Sequence, residues 1–151
     1  MGEEERFLKG KKKAMALLSH KDRTKWELTD KMKQAGFDEE VIEDAIAYVE
    51  SFHYVDDLRY AIRYAEIYSD SRSIKRIRQD LEKRHVPEEY IETALEGIHM
   101  DDSRALQKAL EKLLKGREAA GDFSYEEKQK IAAKLYRKGF RTEDIFRGLN
   151  L

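Results

Sequence analysis

The chain has no cysteine, and a single proline, Pro87, among its 151 residues. Without cysteine there are no disulfides, thiol nucleophiles or thiolate metal sites, and the composition suits a reducing compartment. No apolar run approaches the roughly 18 residues that a membrane span needs. The opening residues, MGEEERFLKGKKKAM, lack the apolar heart of a signal peptide. Gly2 follows Met1, but Arg6 stands where a myristoylation signal requires Ser or Thr. Charge of one sign is not in excess either: 30 basic residues face 31 acidic ones, for a net charge of −1. Any attraction to nucleic acid must therefore be local, and none to a membrane is expected. These absences predict a soluble, cytoplasmic protein.

Charged residues make up 40% of the chain and apolar residues another 40%, too many for a disordered tail. Alternating runs rich in Val, Ile and Thr are missing. Apolar residues instead recur three and four apart, the helical period. Leu28–Met32–Ala35, Val41/Ile42–Ala45/Ile46–Val49, Leu58–Ala61/Ile62–Ala65, Ile74–Ile77–Leu81, Ile91–Ala94/Leu95–Ile98, Leu106–Ala109/Leu110–Leu113 and Ile131–Leu135 all follow it. About nine helices are predicted, and no strands.

The same stretch is written three times: KMKQAGFDEEVIEDAI at 31–46, DLEKRHVPEEYIETAL at 80–95 and KLYRKGFRTEDIFRGL at 134–149. Aligned on Gly36, His85 and Gly139, the columns hold Leu28/Ile77/Ile131, Met32/Leu81/Leu135, Phe37/Val86/Phe140, Ile42/Ile91/Ile145 and Ile46/Leu95/Leu149. An interval of about 50 residues points to tandem helical modules. Glycine adopts positive φ cheaply, so it ends one helix and turns the chain into the next. Histidine tolerates that region better than most residues, so the turn survives at His85 with some strain. Phe37 and Ile42 have the spacing of a hydrophobic staple, Asp38 falls at an N-cap, and Pro87 opens its helix where a missing N–H costs little. A further helix precedes each corner, roughly at 6–19, 56–70 and 101–115. The expected architecture is all-α: an elongated, curved tandem array of three three-helix modules, spanning 1–52, 53–99 and 100–151. A corner of two helices could also read DNA, but the second helices open with DEE, PEE and TED, and carboxylates there would repel phosphate. They are read as packing corners.

Tyr54-Val55-Asp56-Asp57-Leu58-Arg59-Tyr60-Ala61 resembles the y-l-D-D-x-r-f/y-A signature of the RecX family, small regulators of the RecA recombinase. Ile77-x-x-x-Leu81-x-x-x-His85-Val86 is similar to that family's r-I-x-x-e-L-x-x-k-G-I. Thr24-Lys25-Trp26-Glu27-Leu28 and Lys134-Leu135-Tyr136-Arg137-Lys138-Gly139-Phe140 extend the resemblance over nearly the whole chain from Ala14. His85 in place of glycine and Ser71-Arg72-Ser73 without one are departures. The resemblance implies a binding protein without catalysis or cofactor, seated in the groove of the RecA–single-stranded DNA filament. There it would limit filament growth and damp ATP hydrolysis, strand exchange and coprotease activity. An elongated stack of modules could touch several filament subunits and gain avidity. A monomer is expected. The competing expectation is an autonomous DNA-binding helical repeat that grips single- or double-stranded DNA through basic helix faces.

Two groups of cations stand out. Arg72, Lys75, Arg76, Arg78, Lys83 and Arg84 cluster in and around the fifth helix, and Lys128, Lys130, Lys134, Arg137, Lys138 and Arg141 in the third repeat. They suit acidic protein surface or phosphate. The first group could instead be a solvated face with i,i+4 pairs, Arg76–Asp80 and Arg78–Glu82. Arg72, Lys75, Arg76, Arg78, Lys83, Lys130, Lys134, Arg137 and Lys138 are the residues expected to meet the partner. A third group, Lys9, Lys11, Lys12 and Lys13, reads as a frayed start.

Tyr60, Tyr64 and Tyr68 recur every four residues beside Arg59 and Arg63. They could stack bases, but packing is the plainer reading, as it is for Trp26. Asp56 or Asp57 is read as the cap of the fourth helix, and Asp101-Asp102 in the same way for the seventh, since no third ligand is placed for a metal. His20, His53, His85 and His99 form no H-E-x-x-H pair, Gly10-Lys11 is no phosphate loop, and no G-x-S-x-G elbow occurs. No enzyme activity is expected.

Overall fold

In the computed structural model, which describes residues 2–98, 102–117 and 121–151, every regular element is a helix. Nine are present among the described residues: α1 (Glu3–His20), α2 (Lys25–Gln34), α3 (Glu39–Ser51), α4 (Asp57–Tyr68), α5 (Ile74–Lys83), α6 (Glu88–Glu96), α7 (Ser103–Leu114), α8 (Tyr125–Arg137) and α9 (Thr142–Leu149). They read as three helical triplets, as the repeated letters predict. His99 and Asp101 lie outside the described residues.

The three corners share one hydrogen-bond pattern. Gly36, His85 and Gly139 have φ of 91°, 58° and 97°. Their N–H groups donate to Lys33, Glu82 and Tyr136, and the following N–H groups of Phe37, Val86 and Phe140 donate to the carbonyls of Met32, Leu81 and Leu135 at 3.2, 3.2 and 3.3 Å. This is the Schellman turn, which satisfies carbonyls that a helix end would otherwise leave open. The next helix starts at once. Asp38 caps α3 by accepting the Val41 N–H at 3.0 Å, and the Pro87 carbonyl accepts the Ile91 N–H at 3.1 Å to open α6. Arg141 opens α9 without a side-chain cap.

Two compact units can be distinguished, Met1–Ala61 with Leu81–Ile91 and Ile62–Asp80 with Glu92–Leu151. In the first, Ala14, Leu28, Met32, Ile42, Ala45, Ile46, Val49 and Val55 form the core, with Met15, Leu17, Leu18 and Phe37 against it. Helices α1 and α3 lie so close that a Cβ at Gly10 would collide with the Val41 side chain. In the second, α7, α8 and α9 enclose Ala105, Leu106, Leu110, Ile131, Ala132, Leu135, Phe140, Ile145 and Leu149. Full burial of each large aliphatic side chain stabilises by about 1.5–3 kcal/mol. The middle repeat buries Ala61, Tyr64, Ala65, Ile77, Leu81, Val86, Ile91 and Ala94.

Hydroxyl and carboxylate groups fasten one repeat to the next, in the same way twice. Thr24 caps α2 in a capping box with Glu27, and its Oγ1 also donates to the Arg84 carbonyl at the end of α5, at 3.1 Å. Ser73 caps α5 by accepting the Arg76 N–H at 3.0 Å, and its Oγ donates to the Lys138 carbonyl at the end of α8, at 2.9 Å. A carboxylate completes each junction. Asp57 Oδ1 accepts the Lys25 N–H at 2.8 Å, and Asp102 Oδ1 accepts the Ile74 N–H at 2.7 Å. Of the two candidate caps of α4, one acts locally and the other reaches the preceding repeat. Asp56 does cap its own helix, through the Arg59 N–H at 3.0 Å, but Asp57 serves α2. Asp102 makes no side-chain cap to α7 and serves α5. In both cases an N-terminal N–H of the preceding repeat, left open by helix geometry, is the better donor within reach.

Candidate functional site

The first basic group divides into cations held by the fold and cations left at the surface. Asp80, 4% exposed, lies on the inner side of α5. Its carboxylate accepts from Tyr64 Oη at 2.8 Å, from Arg72 at 2.8 Å and from Arg76 Nε at 2.9 Å. The Arg72 guanidinium also lies 3.9 Å from the centre of the Tyr68 ring. Burial pushes the Asp80 carboxyl up, but hydrogen bonds from Arg76, Tyr64 and Arg72 together hold it below the ordinary aspartate range. Arg72 and Arg76, expected at the partner surface, are therefore engaged in a structural cluster. The pairing Arg76–Asp80 is the one that the i,i+4 spacing predicts.

Lys75 is exposed, and its Cβ lies 3.4 Å from where a Cβ would stand on Gly139. The clasp of Ser73 on Lys138 thus brings the N-terminus of α5 against the C-terminus of α8. There Lys134, Arg137 and Lys138 are all exposed, and Lys130 is one turn earlier. Lys130, Lys134 and Lys138 recur at i,i+4,i+8, so they form one stripe turned away from buried Ile131 and Leu135. Cations at the last turn of α8 also complement its carbonyl end. The two basic groups of the sequence accordingly meet in one unit, where Lys75, Lys130, Lys134, Arg137 and Lys138 are exposed cations outside the Asp80 cluster. Arg78 is partly buried beside a groove lined by Ile74, Glu92, Leu95 and Glu96. Lys83 is exposed in the other unit.

The tyrosine stripe is mainly packing: Tyr64 is 7% exposed, Tyr68 carries Arg72, and burial pushes the partly covered Tyr60 phenol up. Trp26 stacks on His85 with ring centres 4.3 Å apart. Sequence reasoning missed Asp80 as the hub of the cluster. The available signal was an acid beside the apolar stripe of a mostly basic helix. Among the described residues, no group of three His, Cys, Asp or Glu is placed to hold a metal, and no helix is long and apolar enough to cross a membrane.

Comparison with known proteins matches the repeats one by one. Residues 11–48, 56–95 and 101–149 match the family models for the first, second and third three-helix domains of RecX. The chain is 37% identical over 144 residues to a protein of Caldanaerobacter subterraneus subsp. tengcongensis named Regulatory protein RecX, covering 93% of this chain and 69% of that one. A Geobacillus protein of the same name is 33% identical, with 90% of this chain and 51% of the relative covered, so this chain spans about half of it. A crystal structure of RecX from Lactobacillus salivarius superposes with a TM-score of 0.76 at 24% identity, over 97% of both chains. At that identity the likeness bears on the fold alone. Three family domains matched in order, on an all-helical chain of three tandem triplets, place this chain in the RecX family of regulatory proteins.

Proposed function

We propose that this protein binds the RecA–single-stranded DNA filament and inhibits recombinase activity, as a regulator of recombination and DNA repair in the cytoplasm. The reading rests on membership of a family of regulatory proteins, and the observation that carries it here is the joined cationic surface of α5 and α8. Lys75, Lys134, Arg137 and Lys138 offer charge at the junction of two repeats, and Lys130 extends it along α8. Such a surface suits phosphate or acidic protein side chains. Tandem modules spanning 1–52, 53–99 and 100–151 would let one monomer engage several filament subunits in turn, so modest contacts would add. No group on this surface is asked to do chemistry; occupancy alone would regulate.

The deciding experiment is RecA ATPase on single-stranded DNA with this protein at stoichiometric levels. Suppressed hydrolysis is expected, and an unchanged rate overturns the proposal. The same cationic stripe would serve a protein that binds DNA unaided. Tight binding to naked single- or double-stranded DNA at physiological salt, with no effect of RecA, would favour that second reading.

A further inference from the structure

We infer that the groove between α5 and α6 docks protein rather than nucleic acid, receiving from a RecA subunit an apolar side chain flanked by lysine or arginine; this rests on the filament reading above. The groove has a volume of about 360 Å3 and is lined by Ile74, Arg78, Glu92, Leu95 and Glu96. All five residues belong to the second unit.

The middle repeat leaves open what its neighbours close. Leu95 stands in the column of Ile46 and Leu149, which are 4% and 0% exposed, yet Leu95 is partly exposed. Ile98 is partly exposed as well, although Val49 in its column is fully buried. Across the groove, partly exposed Ile74 replaces the Lys25 and Lys128 of the other two repeats. One wall has therefore gained an apolar side chain and the other has uncovered one. Apolar area left in water forgoes the burial that drives folding, and an apolar groove rimmed by polar residues marks an interaction site.

Charge decides which partner it fits. Helix α6, EEYIETALE, holds four glutamates and no lysine or arginine. Two of them, Glu92 and Glu96, are exposed at the rim of the groove. They lie one helical turn apart, so they share a face. Arg78 stands on the other wall, which leaves the lining with two carboxylates against one guanidinium. A surface of that sign repels phosphate and attracts cations. Its complement is an apolar side chain that meets Ile74 and Leu95, with basic side chains set toward Glu92 and Glu96. A filament of protein on DNA presents both phosphate and side chains. Lys75 of α5 stands by α8 on the cationic surface, whereas Ile74 and Arg78 of the same helix line the acidic groove. The first side suits the DNA of the filament and the second its protein.

The test is fluorescence anisotropy of RecA filaments formed on a labelled oligodeoxythymidylate, with the full chain added. Glu92→Gln with Glu96→Gln should weaken filament binding at least about fivefold. The direction is diagnostic, because loss of two negative charges facing phosphate would strengthen binding instead. Both positions are exposed, so urea unfolding should be nearly unchanged. Leu95→Ala should weaken binding about tenfold. It should leave the slope of log affinity against log salt unchanged, because no phosphate contact is removed. Leu95→Met, which keeps the apolar volume, should lose little. An unaltered protein that does not bind the filament overturns the filament reading and this inference together. If the unaltered protein binds, a glutamine variant that binds as tightly or more tightly overturns the groove alone. So does a change in the sedimentation of the free variant at unchanged filament affinity, which would assign the groove to a second copy of the chain.

Discussion

Ser73 Oγ donates to the Lys138 carbonyl at 2.9 Å while accepting the Arg76 N–H at 3.0 Å. One hydroxyl thus starts α5 and closes onto the last turn of α8. Thr24 does the same for α2 and the Arg84 carbonyl. Removing the hydroxyl loses an N-cap, worth about 0.5–2 kcal/mol, and a bond between repeats, worth about 0.5–1.5 kcal/mol net. Ser73→Ala and Thr24→Ala should each lower unfolding free energy by about 1–3 kcal/mol in urea titrations. Ser73→Thr, which keeps the hydroxyl, should lose less than Ser73→Ala.

The glycine corners should respond unequally to the same methyl group. Gly36 and Gly139 both have positive φ, so alanine at either carries the left-handed penalty of about 1–2 kcal/mol. At Gly36 nothing lies within 4 Å of the added Cβ, whereas at Gly139 it would stand 2.6 Å from Ser73 Oγ. Gly139→Ala should therefore destabilise by about 1 kcal/mol more than Gly36→Ala, the scale of one lost hydrogen bond. His85→Gly should come out within about 1 kcal/mol of the unaltered protein. It relieves backbone strain but gives up the Trp26 stack, itself worth about 0.5–1.5 kcal/mol.

Two aspartates should pull the pH dependence in opposite directions. The folded pKa of Asp80 is lowered, so its contribution is fully present above the ordinary aspartate value of about 3.9 and is lost as pH falls through the lower folded value. Asp80→Asn should flatten the acid limb of the stability curve and cost about 2–3 kcal/mol at neutral pH, less than a fully buried pair because both arginines stay partly in water. For Asp57, desolvation by burial raises the folded pKa, against the lowering effect of the Lys25 N–H. Its folded form holds a proton more firmly than the unfolded chain, so ionisation removes stability as pH rises through that window. Asp57→Asn keeps the acceptor oxygen and removes the penalty, so neutral-pH stability should be unchanged or slightly higher.

The corners were legible because their cause is local: a residue that accepts positive φ, an apolar residue after it, and an apolar position six further on. Gly36, His85 and Gly139 all behave as those letters require. The reach of Asp57 and Asp102 to the previous repeat was not legible, because a carboxylate at a helix start looks like its own cap, and spacing along a chain does not reveal a donor elsewhere. The same limit applies to the cations. Arg72 and Lys75 are alike in a sequence, and only the buried carboxylate of Asp80 separates the anchored one from the exposed one. The exposure of Tyr54 was hidden too, since its N–H bonds the carbonyl five residues back as that of the buried Phe140 does.

This division of the cations makes a sharp prediction about the α5–α8 surface. Reversing Arg76 would set a second negative charge against buried Asp80 and unsettle the fold, so loss of binding in such a variant would say little. Lys134, Arg137 and Lys138 are exposed instead, and surface substitutions of that kind change stability by within about 0.5 kcal/mol each. Lys134→Glu, Arg137→Glu and Lys138→Glu together should leave urea unfolding nearly unchanged and weaken association with the RecA–single-stranded DNA filament at least about tenfold. Where these side chains meet phosphate, each should also reduce the salt slope of binding by about 1. Arg72→Ala should do the reverse, lowering stability through Asp80 while leaving filament affinity within about twofold, because its guanidinium is spent on Tyr64, Tyr68 and Asp80. Unchanged binding by the triple variant in fluorescence anisotropy would remove this surface from the filament contact. A large affinity loss in Arg72→Ala, with stability intact, would return that residue to the partner surface.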